Sequence, residues 1–413
     1  MKAEWTGSFI LHHSSFILHH SPVKRRLQPQ VIIFGFVSLL NDSASEMIYP
    51  LLPIFLTTTL GTTALVVGII EGAADALASI LKFAAGAWSD RMTRRKPLVT
   101  SGYALAAASR GLIAVATMWP TVLTARLIDR TGKGIRSAPR DAMIADVTPP
   151  EERGRAFGFQ RALDHTGAIV GPLLAMLLIS GLHCPLRTVF ALAVIPGAIG
   201  VVLLMVALRE EPRVSVPQAS SQENVDAPLP VAFWRSVAAV ALFSLANSSD
   251  AFLILQAHAA GVTTAMLPLL WSAHHVIKSL FSTRAGALSD RMNRTTLLIA
   301  GWSLYAVIYF VFPFSRSTTF FFALFVIYAI PFTLTEGAER AWIVEHVPPR
   351  LRGRSFGYYY LANGMCVLAG TALFGWLYDN VSHAAAFNTG AALALVAAAW
   401  VAVTRSLDRA AAA

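Results

Sequence analysis

The heptapeptide Gly86-Ala87-Trp88-Ser89-Asp90-Arg91-Met92 returns 200 residues later as Gly286-Ala287-Leu288-Ser289-Asp290-Arg291-Met292. A second stretch, Pro149-Pro150-Glu151-Glu152-Arg153-Gly154-Arg155-Ala156-Phe157-Gly158, returns as Pro348-Pro349-Arg350-Leu351-Arg352-Gly353-Arg354-Ser355-Phe356-Gly357. Two motifs repeated in one order at nearly one spacing mark an internal duplication. Each copy falls in a gap between long apolar stretches, so the duplicated unit is a set of apolar helices.

The composition says what kind of helices these are. Of 413 residues, 55% are hydrophobic and only 14% charged, which excludes a soluble enzyme. Apolar spans read at 31–56, 66–88, 97–116, 120–143, 156–180 and 187–208, then at 235–258, 265–288, 296–314, 319–344, 355–378 and 384–404. A bilayer core of about 30 Å needs roughly 20 apolar residues per helix, so twelve spans consume about 240 to 280 residues, within this length. The expected fold is an all-α membrane protein of twelve transmembrane helices, arranged as two parallel six-helix repeats. The expected divisions are a low-complexity extension at 1–29, a six-helix half at 30–208, a cytoplasmic linker at 209–234, a second half at 235–405 and a tail at 406–413. The linker reads as flexible because Pro212, Pro217, Pro228 and Pro230 stand among Ser, Gln and acidic residues. The extension repeats Ser-Phe-Ile-Leu-His-His-Ser at 8–14 and 15–21. Its histidine pairs break the unbroken apolar core a signal peptide needs, so it reads as unstructured.

A net charge of +10 raises nucleic acid as a partner, but the bases form no single stripe. They sit in short runs at every second gap between spans, among them Lys24-Arg25-Arg26, Arg94-Arg95-Lys96, Arg153 with Arg155, and Arg350, Arg352 and Arg354. The alternate gaps carry only Arg187 and Arg316. Positive charge stays on the cytoplasmic side, so both termini are expected in the cytoplasm of a multi-pass inner-membrane protein. Cys184 and Cys366 are far apart, without the spacing of a metal site, and no phosphate loop or zinc-protease helix is present. No metal, cofactor or enzymatic activity is expected, and the chain is expected to work as a monomer in the lipid bilayer.

On these motifs the chain resembles the major facilitator superfamily from Val31 to Arg405. The first signature, glycine-x-x-x-aspartate-arginine followed by bases, stands as Gly86, Asp90, Arg91, Arg94, Arg95 and Lys96, with a degenerate copy at Gly286, Asp290, Arg291 and Arg294. The resemblance implies that Gly86, Asp90, Arg91, Gly286, Asp290 and Arg291 form a conformational latch; the plainer alternative is that the arginines only fix topology. The run Arg126-Leu127-Ile128-Asp129-Arg130-Thr131-Gly132-Lys133-Gly134 is similar to the arginine motif of proton-coupled members, with Arg130 where a glycine is usual. Gly167, Gly171 and Pro172 look like the motif of the antiporter subset, and equally like ordinary small-residue helix packing.

Ionisable side chains inside a bilayer cost at least about 2.5 kcal/mol each, so they face protein or water and usually have partners. Counting along the spans puts Asp42, Glu46, Asp75, Asp129, Lys133 and Asp250 near mid-depth. Glu71, Arg126, Arg130, Asp164, Lys278, Glu336, Glu339 and Arg340 lie a turn or two away, and all fourteen are expected to line one central cavity. Residues four apart share a helix face, so Asp42 with Glu46 and Glu71 with Asp75 are paired acids, and Arg126 with Arg130 is a pair of bases. The expected arrangement sets the basic face of span four against the acidic faces of spans one and two. Either one of those four acids carries a proton and exchanges it for its arginine, or the set is a static ion-pair network. Of His274 and His275, adjacent on span eight, only one can face a cavity centrally.

The function expected is secondary active transport of a small polar or charged solute by alternating access. Coupling to protons and export by antiport are expected, and a siderophore-like chelator is suggested by resemblance. The alternatives are multidrug efflux, or a non-transporting sensor or scaffold on the same fold.

Overall fold

The computed structural model describes residues 27–90, 94–149, 152–210, 228–343, 345, 347–348 and 351–412. Its helices join end to end into twelve rods. We number them α1 (Pro29–Thr59), α2 (Ala64–Asp90), α3 (Lys96–Ala114), α4 (Trp119–Asp146), α5 (Arg153–Met176, continued by a π turn) and α6 (Leu186–Ala207). The second set is α7 (Val231–Ala259), α8 (Leu267–Arg291), α9 (Arg294–Val311), α10 (Thr318–Arg340, its helix running on to Ile343), α11 (Arg352–Asn380) and α12 (His383–Ala412). Among the described residues nine rods are long and apolar enough to cross a membrane by length and composition. The other three, α3, α4 and α8, fall short through polar and charged residues, several of which are held by other rods inside the bundle.

Prolines set the interruptions. A proline ring collides with the carbonyl four residues earlier and supplies no N–H. The regular helix accordingly ends at Glu46 before Pro50, at Leu192 before Pro196 and at Ile327 before Pro331. Rod α7 breaks without a proline, at Asn247–Asp250, where four polar residues follow one another. The Tyr305 hydroxyl donates to the Ala246 carbonyl at 3.1 Å, satisfying backbone that the break frees. Since α1 and α7 are equivalent rods of the two repeats, each half has a mid-depth break with a carboxylate on it: Glu46 in one, Asp250 in the other. The sequence reading had both as uninterrupted spans, because it weighed apolar content and neither the carbonyl four residues before Pro50 nor the polar run at 247–250.

Within each half, rods consecutive in the chain run antiparallel, while α1 beside α5 and α2 beside α4 run parallel; between halves, α2 lies along α11 and α5 along α8. Glycines make the first of these seams. A Cβ at Gly72 would collide with Thr371, and one at Gly375 would stand 2.7 Å from Leu65. Toward the termini α2 and α11 part, leaving a gap of about 360 Å³ lined by Ser79, Ile80, Arg354, Gly357, Tyr358 and Leu361. At the opposite end the halves share one apolar core, with Phe55, Phe190, Phe252 and Trp271 all buried in it.

Candidate functional site

Between the halves, at the depth of the two breaks, lies a cavity of about 160 Å³. Its wall is Asn41, Asp42, Ser45, Glu46 and Tyr49 of α1, Asp129, Arg130, Lys133 and Arg136 of α4, Asp250 of α7, and Trp271 and His275 of α8. That volume holds several waters, and the wall offers each of them polar partners.

Behind α4 the charges are locked. The Arg126 guanidinium meets the Glu71 carboxylate in a two-pronged pair, Nε to Oε1 at 3.0 Å and Nη2 to Oε2 at 2.6 Å, with both side chains buried. Asp129 stands between two arginines, 3.8 Å from Arg126 and 3.9 Å from Arg110. Arg110 itself donates to the side-chain and backbone oxygens of Asn41, at 2.8 and 3.2 Å, and so ties α3 to α1. One turn along, Arg130 Nε lies 3.4 Å from Asp75 Oδ1, where the Asp75 side chain is 48% exposed at mid-helix.

The wall facing the second half is looser. Trp271 donates its indole N–H to Glu46 Oε2 at 2.8 Å, a hydrogen bond between the two halves, and its ring lies 4.9 Å from that of Tyr49. The Tyr328 hydroxyl donates to Asp250 Oδ1 at 2.8 Å. Asp42 accepts from its neighbour Asn41 at 3.0 Å. Lys133 is exposed to the cavity, and its ammonium has no partner among the described residues. Neither ring nitrogen of His275 has a hydrogen-bond partner, while His274 is buried and its Nδ1 lies 3.4 Å from the Phe325 carbonyl.

This arrangement corrects the sequence reading in three respects. Of the fourteen residues expected around one cavity, six line it: Asp42, Glu46, Asp129, Arg130, Lys133 and Asp250. Glu71 and Arg126 are buried behind it and Asp75 pairs from its rim. Asp164 accepts from Gln160 at 2.7 Å, Lys278 stands 5.4 Å over the Phe332 ring, Glu336 pairs with Arg340 at 3.0 Å, and Glu339 accepts from Tyr359 at 2.6 Å. Second, only α2 sets its acids against the bases of α4. The acids of α1 turn to an amide and, across the interface, to an indole. Third, Arg110 and Arg136 were not singled out, although both are buried at the site; Arg136 stacks 4.4 Å over Tyr103 and lines the cavity. Arg136 follows Asp129 by seven residues and Lys133 by three, the spacing of one helix face, a signal the sequence does carry.

Behind Asp42, α5 presses on α1 through two glycines. A Cβ on Gly167 would come 2.5 Å from the Leu39 carbonyl and 3.1 Å from Asp42 Cβ, and one on Gly171 would overlap the Ser43 carbonyl. Pro172 sits inside that helix. The latch residues are outside what can be described: Arg91 entirely, and the side chains of Gly86, Asp90, Gly286, Asp290 and Arg291. Of the first signature's basic cluster, Arg95 pairs with Asp146 at 3.1 Å, and Lys96 donates to the carbonyls of Met205 and Leu208 at the end of α6.

Twelve helical rods, duplicated as two sets of six around a polar cavity at mid-depth, define a multi-pass membrane transporter. The chain belongs to the Major Facilitator Superfamily, whose sequence model matches residues 34–274 and 239–412. It is 30% identical over 378 residues to the "Uncharacterized MFS-type transporter MJ1317" of Methanocaldococcus jannaschii, covering 90% of this chain and 94% of that one. It is 34% identical to the multidrug resistance protein MdtH of Edwardsiella ictaluri, but over 135 residues only, 32% of this chain and 33% of that one. Among solved structures it resembles a bacterial homolog of the human lysosomal transporter Spinster, inward-facing and occupied, with a TM-score of 0.70 and 16% identity over 91% of this chain and 96% of that one. It resembles the nucleoside transporter NupG with a TM-score of 0.70 and 13% identity over 91% and 99%. These last two likenesses concern the fold.

Proposed function

We propose that this transporter moves a small polar or charged solute outward in exchange for protons, through the cavity bounded by α1, α4, α7 and α8. One observation carries the reading: eight acidic, basic or histidine side chains from four rods, drawn from both halves, meet at mid-depth where helices of each half break. Idle ions there would cost too much to keep. The split between locked and loose charges supports proton exchange, since Asp42, Glu46 and Asp250 hold neutral donors and, among the described residues, no base within ion-pair distance. With both termini in the cytoplasm, the parting of α2 and α11 toward the termini corresponds to a state opening inward. A solute smaller than a siderophore-like chelator suits a cavity of about 160 Å³.

The partial likeness to MdtH favours drug efflux as a second reading. Drug-type cavities are mostly apolar with a few polar groups, whereas ten of the twelve wall residues here, all but Tyr49 and Trp271, are polar or ionisable without an aromatic body of that size. The polar solute is therefore preferred. The test is a panel of polar solutes and lipophilic cations in proteoliposomes with a pH-sensitive dye inside. Polar solutes are expected to move protons with wild-type protein. Replacing Asp42, Glu46 and Asp250 together by their amides is expected to abolish that movement in a protein that still folds. Unchanged proton movement in the threefold variant overturns the coupling, and proton movement with lipophilic cations alone overturns the choice of solute.

A further inference from the structure

We propose that the groove between α3 and α6, at the end of the bundle that carries the termini, binds the headgroup and glycerol backbone of one anionic phospholipid. The groove measures about 710 Å³ and lies on the outer surface of the bundle, away from the transport cavity. Its chemistry changes with depth. At the mouth stand the guanidiniums of Arg94 and Arg209, both exposed and both without a partner among the described residues. About 6 Å inward of Lys96, four residues along α3, come Thr100 and Ser101. Level with them on α6 stand Met205 and Val206, 51% and 79% exposed, and Ala104 lies one turn deeper on α3. Aliphatic side chains exposed to that degree on a transmembrane rod meet acyl chains, so inward of the charged mouth the groove sets hydroxyls on one wall against hydrocarbon on the other.

The other charged groups of the groove are already spent. Glu210 accepts from the backbone N–H of Arg95 at 2.6 Å and of Lys96 at 2.8 Å, capping α3 with its carboxylate. The Lys96 ammonium is bound to the Met205 and Leu208 carbonyls, and Arg95 to Asp146. Two guanidiniums therefore remain for a phosphate, which they suit as planar donors. The Thr100 hydroxyl is buried without a partner at the depth of the glycerol esters, whose carbonyls would accept from it. The charge-counting rule puts this end at the cytoplasmic leaflet, where anionic lipids concentrate.

The experiment is a thermal-shift titration of the full-length protein in neutral detergent with phosphatidylglycerol, phosphatidylcholine and inorganic phosphate in parallel. Phosphatidylglycerol is expected to raise the melting temperature saturably, and the other two are not. Its apparent affinity is expected to fall about fivefold on Arg94→Gln or Arg209→Gln, and about 25-fold on both. Thr100→Val is expected to weaken it while leaving the choice between lipids unchanged. Both arginines are exposed, so the unliganded melting temperature should hold, and native mass spectrometry of co-purified lipid provides a second readout. Equal response to the two lipids, an undiminished response in the double variant, or reproduction by inorganic phosphate alone overturns the proposal.

Discussion

Asp379, in the last turn of α11, accepts the backbone N–H of Ala64 at 3.0 Å with one oxygen and that of Leu65 at 2.7 Å with the other. A carboxylate from the second half thereby caps the N-terminus of α2 in the first, at the end away from the termini. The contact joins orphan amide donors to a negative charge where the helix dipole favours it.

Rocking the halves to open that end must break this cap. Losing a capping side chain costs about 0.5 to 2 kcal/mol, so Asp379→Ala should shift the balance toward opening there by roughly 2- to 30-fold. Spin labels at exposed Thr58 and Val381 would report it as a larger population of long distances. An unchanged distance distribution would mean that the cap does not hold the halves.

The buried pair of Glu71 and Arg126 bears on whether the ions are static. Removing one partner, as in Glu71→Gln, strands a buried guanidinium and should cost about 3 to 5 kcal/mol, whereas replacing both by hydrocarbon of similar volume is often neutral. Glu71→Leu with Arg126→Met should therefore restore much of the melting temperature that Glu71→Gln loses. If transport survives in that double variant, the pair is a structural tie only. If transport is lost in a stably folded protein, the pair belongs to the mechanism.

The glycines of α5 offer a prediction with its own control. Gly171→Ala pushes a methyl into the Ser43 carbonyl and should destabilise by about 1 to 3 kcal/mol, since α1 has no room to retreat. Gly158, on the same helix, has nothing within 4 Å of its would-be Cβ, and there alanine should stabilise by about 0.5 to 1 kcal/mol through helix propensity. Opposite signs in urea or thermal unfolding confirm close approach at Gly171; equal effects contradict it.

The rods were legible because a twelve-fold recurrence of apolar stretches is written in composition, and the duplication because it survives as literal repeats. The pairing of α2 with α4 followed from spacing four, which fixes the face a side chain occupies. What spacing leaves open is the neighbour that face meets. Glu46 and Trp271 lie 225 positions apart, and only the closing of one half on the other brings indole to carboxylate. Arg110 stood outside the reading for a related reason: its nearest partner, at 2.8 Å, is the amide of Asn41, a group that carries no charge to betray it, and the charged Asp129 stands 3.9 Å away on another helix.

Lys133 separates function from folding. Its ammonium stands in the cavity without a partner, so Lys133→Ala removes no contact that the folded state uses and should change stability by no more than about 0.5 kcal/mol. An unpaired cation facing solvent space between acids on α1 and α7 is instead placed to meet an anionic group of the solute, or to repel a cationic one. Transport of an anionic or zwitterionic solute should therefore fall at least about tenfold, since a hydrogen bond to a charged group supplies about 1.5 to 3 kcal/mol, more than the roughly 1.4 kcal/mol of a tenfold change. Lys133→Arg, which keeps the charge, should retain part of the activity. Proteoliposome uptake set beside the melting curve decides it. A variant that melts like wild type and transports like wild type would remove Lys133 from the solute's path.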